Sequence, residues 1–126
     1  MNVVLWILQA LLAAAFAAHG WIFLFPPASI VEAMNASLPR WFQLSLGVAE
    51  IAAAVGLILP GITRILPSLV HWAAVGIMIV MISATIFHFI RAEYSSALTT
   101  AFLLAIATFV AYRRWKVNRI MPRALA

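Results

Sequence analysis

Residues 41–59 read Trp41-Phe-Gln-Leu-Ser-Leu-Gly-Val-Ala-Glu50-Ile-Ala-Ala-Ala-Val-Gly-Leu-Ile-Leu59. Glu50 is the one ionisable side chain in this stretch and lies at its middle, among mostly apolar and small residues. A run of this length and polarity is typical of a helix that crosses a bilayer. A carboxylate within such a helix normally faces the interior of a helix bundle or a wet cavity. We therefore expect the other apolar segments to surround Glu50.

The composition indicates that most of the chain has lipid as its solvent. Of the 126 residues, 67% are hydrophobic and 9% are charged, well outside the range of soluble domains. The length fits a single domain. The absence of cysteine excludes a disulfide relay, a thiolate metal site and an iron–sulfur cluster carried by this chain alone.

Four apolar segments follow one another, separated by turn signals such as Pro26-Pro27 and Pro60-Gly61. They are too long and too few for the alternating strands of a membrane barrel, so each is predicted to be a helix. The fold class is therefore all-α, an integral membrane four-helix antiparallel bundle. The expected helices are residues 3–25, 41–59, 67–90 and 97–112, and a basic tail, residues 113–126, follows them.

The basic residues predict the orientation of this bundle. With four crossings both termini lie on one side of the membrane, and that side carries six of the eight Lys and Arg residues: Arg64, Arg113, Arg114, Lys116, Arg119 and Arg123. The positive-inside rule therefore predicts that both termini are cytoplasmic. The expected location is the plasma membrane, bacterial inner membrane in type, with a multi-pass topology. The same rule explains the net charge of +5 without a nucleic-acid partner.

Three ionisable residues are expected in the half of the bundle opposite the termini. The membrane boundary on that side is expected near Phe25 and Trp41. At 1.5 Å per residue, Glu50 lies roughly 13 Å and His19 roughly 9 Å below this boundary. His88 lies almost at the boundary. These depths are compatible with one shared pocket, in which Glu50 and His19 are the candidate catalytic residues.

Helical spacing suggests further candidates. Four polar or small residues repeat along one face of the second helix: Gln43, Gly47, Glu50 and Ala54. Thr85 and His88 share a face of the third helix. Gln43, which lies on the same face of the second helix as Glu50, and Thr85 and His88 are therefore the candidate ligand-binding residues. A structural alternative remains open, in which Glu50 is protonated or hydrogen-bonded to a neighbouring His or Thr and holds helices together. No His or Glu pair has the i, i+4 spacing of a metal site, so none is predicted.

Two stretches resemble the DoxX-like family of small four-helix integral membrane proteins. Leu46-Gly-Val-Ala-Glu50, continuing to Pro60, is similar to the family's Leu-Gly-x-x-Glu helix that ends at a Pro turn. Phe87-His-Phe-Ile-Arg-Ala-Glu-Tyr94, followed by Phe-Val-Ala-Tyr at residues 109–112, resembles its junction between the third and fourth helices. The family's first helix often carries Gly-x-x-Lys, whereas here Phe23 stands at the Lys position and His19 precedes the Gly.

The resemblance implies a function in broad terms. The family is named after a subunit of a thiosulfate:quinone oxidoreductase, and a similar animal protein is an assembly chaperone for acetylcholine receptors. The first hypothesis is a membrane subunit that binds a lipophilic molecule, such as a quinone, near Glu50 and His19. The alternatives are a non-catalytic assembly or chaperone module and, third, a small transporter or channel subunit. Each implies contact with membrane lipid and either a homo-oligomer or a larger membrane complex; whether the chain is itself catalytic is left open.

Overall fold

The computed structural model describes residues 1–124, which form helices and no strand. The helices are α1 (Asn2–Leu24), α2 (Val31–Ser37), α3 (Arg40–Thr63), α4 (Leu69–Ile90) and α5 (Tyr94–Tyr112), and a π-helical turn, Arg113–Val117, continues α5. Four of them, α1, α3, α4 and α5 with its π-helical turn, are long and apolar enough to cross a membrane. The predicted all-α class with four apolar helices is confirmed.

The helix ends differ from the expected ones in places where packing overrides a turn signal. Helix α3 continues through Pro60 and Gly61 to Thr63 instead of ending at residue 59. Proline removes one backbone hydrogen bond, but Pro60 and Gly61 are both buried, and Trp6 of α1 packs directly on Gly61. An early helix end would leave several more backbone groups unpaired in lipid, which costs more than one lost bond.

Two further differences lie at the other end of the bundle. The polar loop between the first two long helices contains a helix that the sequence did not predict, α2. Helix α5 begins at Tyr94 instead of residue 97, because a tight turn after α4 leads directly into it. In this turn Ala92 has a positive φ of 57°, and the Glu93 N–H donates to the His88 carbonyl.

The long helices form an antiparallel bundle of two closely packed pairs. Helix α1 packs along α3 and α4 along α5, and α3 joins the pairs by packing against α4. Contact between α1 and α5 is sparse, so the bundle is less tightly closed on that side. We call the end at which α1 begins the proximal end, and the opposite end, which carries α2 and the α4–α5 turn, the distal end.

The core is an apolar column of mostly aliphatic side chains from all four long helices: Leu5, Leu12, Phe16, Ala54, Leu57, Ala74, Ile77, Met81, Ala107, Val110 and Ala111. The predicted stripe on α3 is confirmed, because Gln43, Gly47, Glu50 and Ala54 are all buried. The single carboxylate of α3 therefore lies on the helix face that is buried inside the bundle.

Candidate functional site

The centre of the candidate site is a contact between two helices, made by Glu50 on α3 and His19 on α1. The Nδ1 atom of His19 lies 2.8 Å from Oε2 of Glu50. The carboxylate is almost fully buried, with 2% of its side chain exposed, whereas His19 is 57% exposed. One proton holds this bond together, either on the carboxyl group or on the imidazole. The pair can therefore store a proton and pass it between the two groups.

A close approach of two glycines brings this pair together. A Cβ atom on Gly20 would lie 2.9 Å from the Gly47 carbonyl oxygen, and a Cβ atom on Gly47 would lie 2.9 Å from the Gly20 carbonyl oxygen. Only glycine fits at both positions without moving the backbones. Gly20 follows His19 directly, and Gly47 lies one helical turn before Glu50. The glycine crossing therefore fixes the distance between the two functional groups.

Beside the pair lies a cavity of about 660 Å³ at the distal end, which we call the main cavity. Both His19 and Glu50 line it, together with α2, the first half of α3 and the second half of α4. Most of its lining side chains are apolar, among them Phe23, Met34, Leu46, Ile79 and Ala84. A cavity of this volume with an apolar wall and a few convergent polar groups is typical of a small-molecule site.

A second, smaller cavity of about 350 Å³ lies where α1 and α5 make few contacts, and we call it the side chamber. Its wall carries four hydroxyl groups from the first two turns of α5: Ser95, Ser96, Thr99 and Thr100. The two cavities share His19, Met81, His88 and Thr100 as lining residues. The imidazole that contacts Glu50 thus borders both spaces.

The structure places His88 at both cavities but pairs it with a different carboxylate. Its Nδ1 atom lies 2.5 Å from Oε2 of Glu93, and Nε of Arg91 donates to the other oxygen of Glu93 at 3.0 Å. The hydrogen bonds from His88 and then Arg91 hold the pKa of the Glu93 carboxyl below its ordinary range. Arg91 also lies over the Phe87 ring, 5.2 Å from its centroid. The side chains of His88, Arg91 and Glu93 form a polar rim at the distal mouth of the main cavity.

The other two predicted ligand-binding residues, Thr85 and Gln43, are not among the lining residues of either cavity. Thr85 donates to the Met81 carbonyl at 2.7 Å, and its hydroxyl lies 2.8 Å from that of Thr100, which lines both cavities. Gln43 lies apart from both cavity linings, where its amide nitrogen donates to Asn35 and to the Leu38 carbonyl. Gln43 therefore links the start of α3 to α2, which lines the main cavity.

A buried polar network at the proximal end was not predicted from the sequence. Nε of Arg114 donates to Oε1 of Gln9 at 2.5 Å, and Gln9 in turn donates to the Leu57 carbonyl at 2.7 Å. Nη1 of Arg114 donates to Oδ1 of Asn2 at 2.7 Å, and the guanidinium lies over the Trp6 ring, 5.3 Å from its centroid. Arg114 belongs to the predicted basic tail, but only 4% of it is exposed.

The hydroxyl wall of the side chamber was not predicted either. The sequence contains a signal for this wall and a signal for the proximal network. Gln9 is the only neutral amide inside an apolar run that otherwise spans residues 3–18. The hydroxyl wall of the side chamber appears as Ser95-Ser96-x-x-Thr99-Thr100, in which two pairs of hydroxyl residues repeat at i, i+4 and therefore share one helix face.

These ionisable residues do not amount to a recognisable metal site. Among residues 1–124, no three His, Asp or Glu side chains cluster closely enough to hold a metal ion. The polar groups at the main cavity are instead suited to hydrogen-bonding and proton exchange with an organic molecule.

The fold and the site define a small polytopic membrane protein with an acid–imidazole pair in the wall of an internal cavity. The sequence pattern of the DoxX-like family matches residues 7–110, and the chain belongs to that family. The matched region contains the Glu50–His19 pair, both cavities and the rim. Comparisons with curated proteins and with solved structures found no match.

Proposed function

We propose that the protein is a membrane subunit that binds a lipophilic molecule in the main cavity, with Glu50 and His19 as its polar anchor. The observation that carries the proposal is the position of this pair. A carboxylate that is 2% exposed, hydrogen-bonded to an imidazole at 2.8 Å, borders an otherwise mainly apolar cavity of about 660 Å³. Intramembrane ionisable groups are costly to maintain, and they are commonly retained for function.

A quinone fits the chemistry of this cavity. It carries carbonyl oxygens that accept hydrogen bonds, and its isoprenoid tail is apolar like most of the lining. A protonated Glu50 would donate to a quinone carbonyl, and the carboxylate form would accept from a quinol hydroxyl. Electrons for any redox step would come from a cofactor on a partner subunit, and this chain's residues would hold the ligand and move the proton.

We further propose that the cavity opens on the non-cytoplasmic side of a bacterial inner membrane, with both termini in the cytoplasm. Most of the cationic residues support this orientation, because Arg64 and the residues from Arg113 onward lie at the proximal end, whereas only Arg40 and Arg91 lie at the distal end. Arg40 there is occupied in donating to the carbonyls of Phe23 and Leu24 at the end of α1.

A second candidate function is a non-catalytic assembly module for a membrane complex, and one observation favours it. Gly76 lies on the exposed surface of α4, and a Cβ atom built there meets no other atom within 4 Å. An open glycine on a membrane-facing helix allows a partner helix to approach closely. In this function Glu50 and His19 would only hold α1 to α3.

Mass spectrometry of everything that co-purifies in native nanodiscs separates the two functions. We expect a stoichiometric lipophilic molecule with the wild type and with Glu32→Ala, which removes an exposed carboxylate outside both cavity linings. The same molecule should be absent from Glu50→Ala. Equal amounts of the molecule in wild type and Glu50→Ala would contradict the proposal. A stoichiometric protein partner that survives Glu50→Ala but is lost in Gly76→Leu would support the assembly function instead.

A further inference from the structure

The side chamber has a polar wall although it lies within the apolar part of the bundle. Its hydroxyl groups come from one face of α5, and the imidazoles of His19 and His88 face them from α1 and α4. Leu103 and Phe16 line its deeper part. From Tyr94, the first residue of α5, to Leu103 is roughly 13 Å along the helix, so the chamber extends from the membrane boundary to about the depth of Glu50.

The hydroxyl groups retain capacity to bind water. Thr99 donates to the Ser95 carbonyl at 3.0 Å, which uses its proton but leaves its oxygen lone pairs free. Thr100, which donates to the Ala97 carbonyl at 3.0 Å and lies 2.8 Å from the Thr85 hydroxyl, keeps one lone pair beyond these two contacts. A site holds water when it is roomy enough and offers the water two to four polar partners. With about 350 Å³ and six polar side chains in its wall, the chamber meets both conditions.

His19 is the link from this chamber to the buried carboxylate. Its Nδ1 atom contacts Glu50, and within the described residues this is its one side-chain hydrogen bond. The other ring nitrogen, Nε2, is therefore available on an imidazole that is more than half exposed and borders the chamber. Glu50 itself lines only the main cavity of the two, so His19 lies between the carboxyl group and the hydroxyl wall.

We propose that the side chamber is a water-filled vestibule through which Glu50 exchanges its proton, by way of His19, with the aqueous phase at the distal end. In the outward direction the Glu50 carboxyl proton moves to Nδ1 of His19, and the imidazolium releases its Nε2 proton to a water in the chamber. This step leaves a Glu50 carboxylate beside an Nδ1–H imidazole. It transfers one proton and no electrons, and uptake is the reverse.

Among the titratable side chains that line the two cavities in the described part of the chain, His19 is the one hydrogen-bonded to Glu50. His88 on α4 is paired with Glu93, and Arg91 is bound to the same carboxylate. Among the lining residues of the described chain, α2 and α5 contribute no titratable side chain. Use of the proton at a bound lipophile rests on the proposed function, whereas the water and the proton exchange do not depend on any ligand.

Cysteine labelling tests for the water, and the native chain has no cysteine to interfere. Leu103→Cys places a thiol on the chamber wall, and Phe102→Cys places one at the neighbouring position, where the native side chain is 67% exposed on the lipid-facing surface. A membrane-impermeant, positively charged methanethiosulfonate reagent is added to each in nanodiscs. The thiolate is the reactive form of cysteine, and apolar surroundings suppress its formation. We therefore expect Phe102→Cys to react at least about tenfold more slowly than Leu103→Cys.

Equal rates at the two positions, or no reaction of Leu103→Cys, would overturn the water-filled vestibule. If Leu103→Cys does not yield a folded, monodisperse protein, Thr99→Cys takes its place, because it lines the same chamber. In sealed vesicles, the reaction should occur only from the side opposite a C-terminal tag. Reaction from the tagged side would likewise overturn the proposed distal opening.

Infrared spectroscopy tests the proton route by following hydrogen–deuterium exchange of the Glu50 carboxyl band, which is identified by its loss in Glu50→Gln. Leu103→Trp fills the chamber from the α5 side and leaves both residues of the pair unsubstituted, and Phe102→Trp is its lipid-facing control. We expect slower exchange in Leu103→Trp and in His19→Phe, and unchanged exchange in Phe102→Trp. Unchanged exchange in Leu103→Trp would overturn the route. Because these readouts need no ligand, loss of the ligand-binding proposal would leave them intact, and the converse also holds.

Discussion

The two ends of the bundle both bury polar side chains, but they use them differently. At the proximal end, Arg114 is held by Gln9 and Asn2, and Gln9 reaches on to a backbone carbonyl of α3. At the distal end, Glu50 has one side-chain partner within residues 1–124, His19, and both residues line the main cavity. Burial of a polar group therefore does not by itself indicate function. The group also needs unused bonding capacity and room for a ligand beside it.

The proximal end is also closed by the chain that follows α5. The Nε atom of Arg64 donates to the Met121 carbonyl at 2.8 Å, and the Arg123 N–H donates to the Arg64 carbonyl at 2.9 Å. The Ile120 side chain lies close to Gly61, beside Trp6. One nitrogen of Arg114, Nη2, is buried without a hydrogen-bond partner among residues 1–124, and the adjacent Trp6 ring offsets part of that cost through a cation–π contact.

The largest effect is expected where the glycine crossing holds the distal pair. Gly47→Leu forces α1 and α3 apart, because even a Cβ atom would lie 2.9 Å from the Gly20 carbonyl oxygen. We expect a loss of about 3 kcal/mol or more in the free energy of unfolding, at the upper end of overpacking effects. Unfolding in mixtures of mild detergent and dodecyl sulfate measures it.

Gly76→Leu is the matched control for this substitution, since the space around Gly76 is open. It should change the free energy of unfolding by no more than about 1 kcal/mol, in the stabilising direction, because leucine is the better helix former. Equal losses in the two variants would mean that the glycine crossing does not set the position of the Glu50–His19 pair.

A smaller loss is expected at the proximal end. Arg114→Leu leaves Oε1 of Gln9 buried without its donor, which costs about 1–3 kcal/mol of stability. The amount of co-purifying lipophile should stay unchanged, because the distal cavities are untouched. Lys116→Leu, at an exposed neighbour, should stay within about 0.5 kcal/mol of wild type.

A double variant sharpens the assignment of a purely structural role to this network. Combining Gln9→Leu with Arg114→Leu removes both partners at once, so the pair should lose less stability than the sum of the two single variants. A simple sum would indicate that Gln9 and Arg114 do not act together. Loss of lipophile from either single variant would contradict the division between the two ends.

The smallest effect concerns the rim. The pKa of the Glu93 carboxyl is lowered in the folded protein, first by His88 and then by Arg91. Because a carboxyl group with a lowered pKa stabilises the fold only when ionised, its contribution is complete above the ordinary pKa of 4.5 and is lost as the pH falls through the lower folded value. Glu93→Gln should remove this part of the acid sensitivity, and thermal unfolding across that range measures it. Identical pH profiles would contradict the rim assignment.

The number of helices, their apolar character and the inward face of α3 could be predicted from the sequence. Hydropathy determines which segments lie in lipid, and Glu50 marks the side of α3 that cannot face it. Helix rotation elsewhere was harder to predict. Helices α1, α4 and α5 carry only a few polar side chains in mainly apolar runs, so their sequences give little indication of which face meets which neighbour.

The parts that the sequence did not predict depend on tertiary contacts. Pro60 signals a helix end locally, but α3 continues where Pro60 and Gly61 are buried and Trp6 of α1 packs on Gly61. Arg114 belongs to a run of cations that resembles a solvated tail, and only the meeting of α5 with the start of α1 shows that it is buried. The contact of His19 with Glu50 likewise required the glycine crossing, which spacing within one helix does not specify.

The most direct test of the central claim is to map where a photoreactive quinone attaches. Purified protein in nanodiscs would be irradiated with an azidoquinone that carries a prenyl tail, and the labelled peptides would be sequenced by mass spectrometry. We expect labels on main-cavity residues such as Met34, Leu46 and Ala84, displaced by excess unmodified quinone and absent from Glu50→Ala. Labels confined to lipid-facing positions such as Phe102, unaffected by competition or by Glu50→Ala, would contradict it.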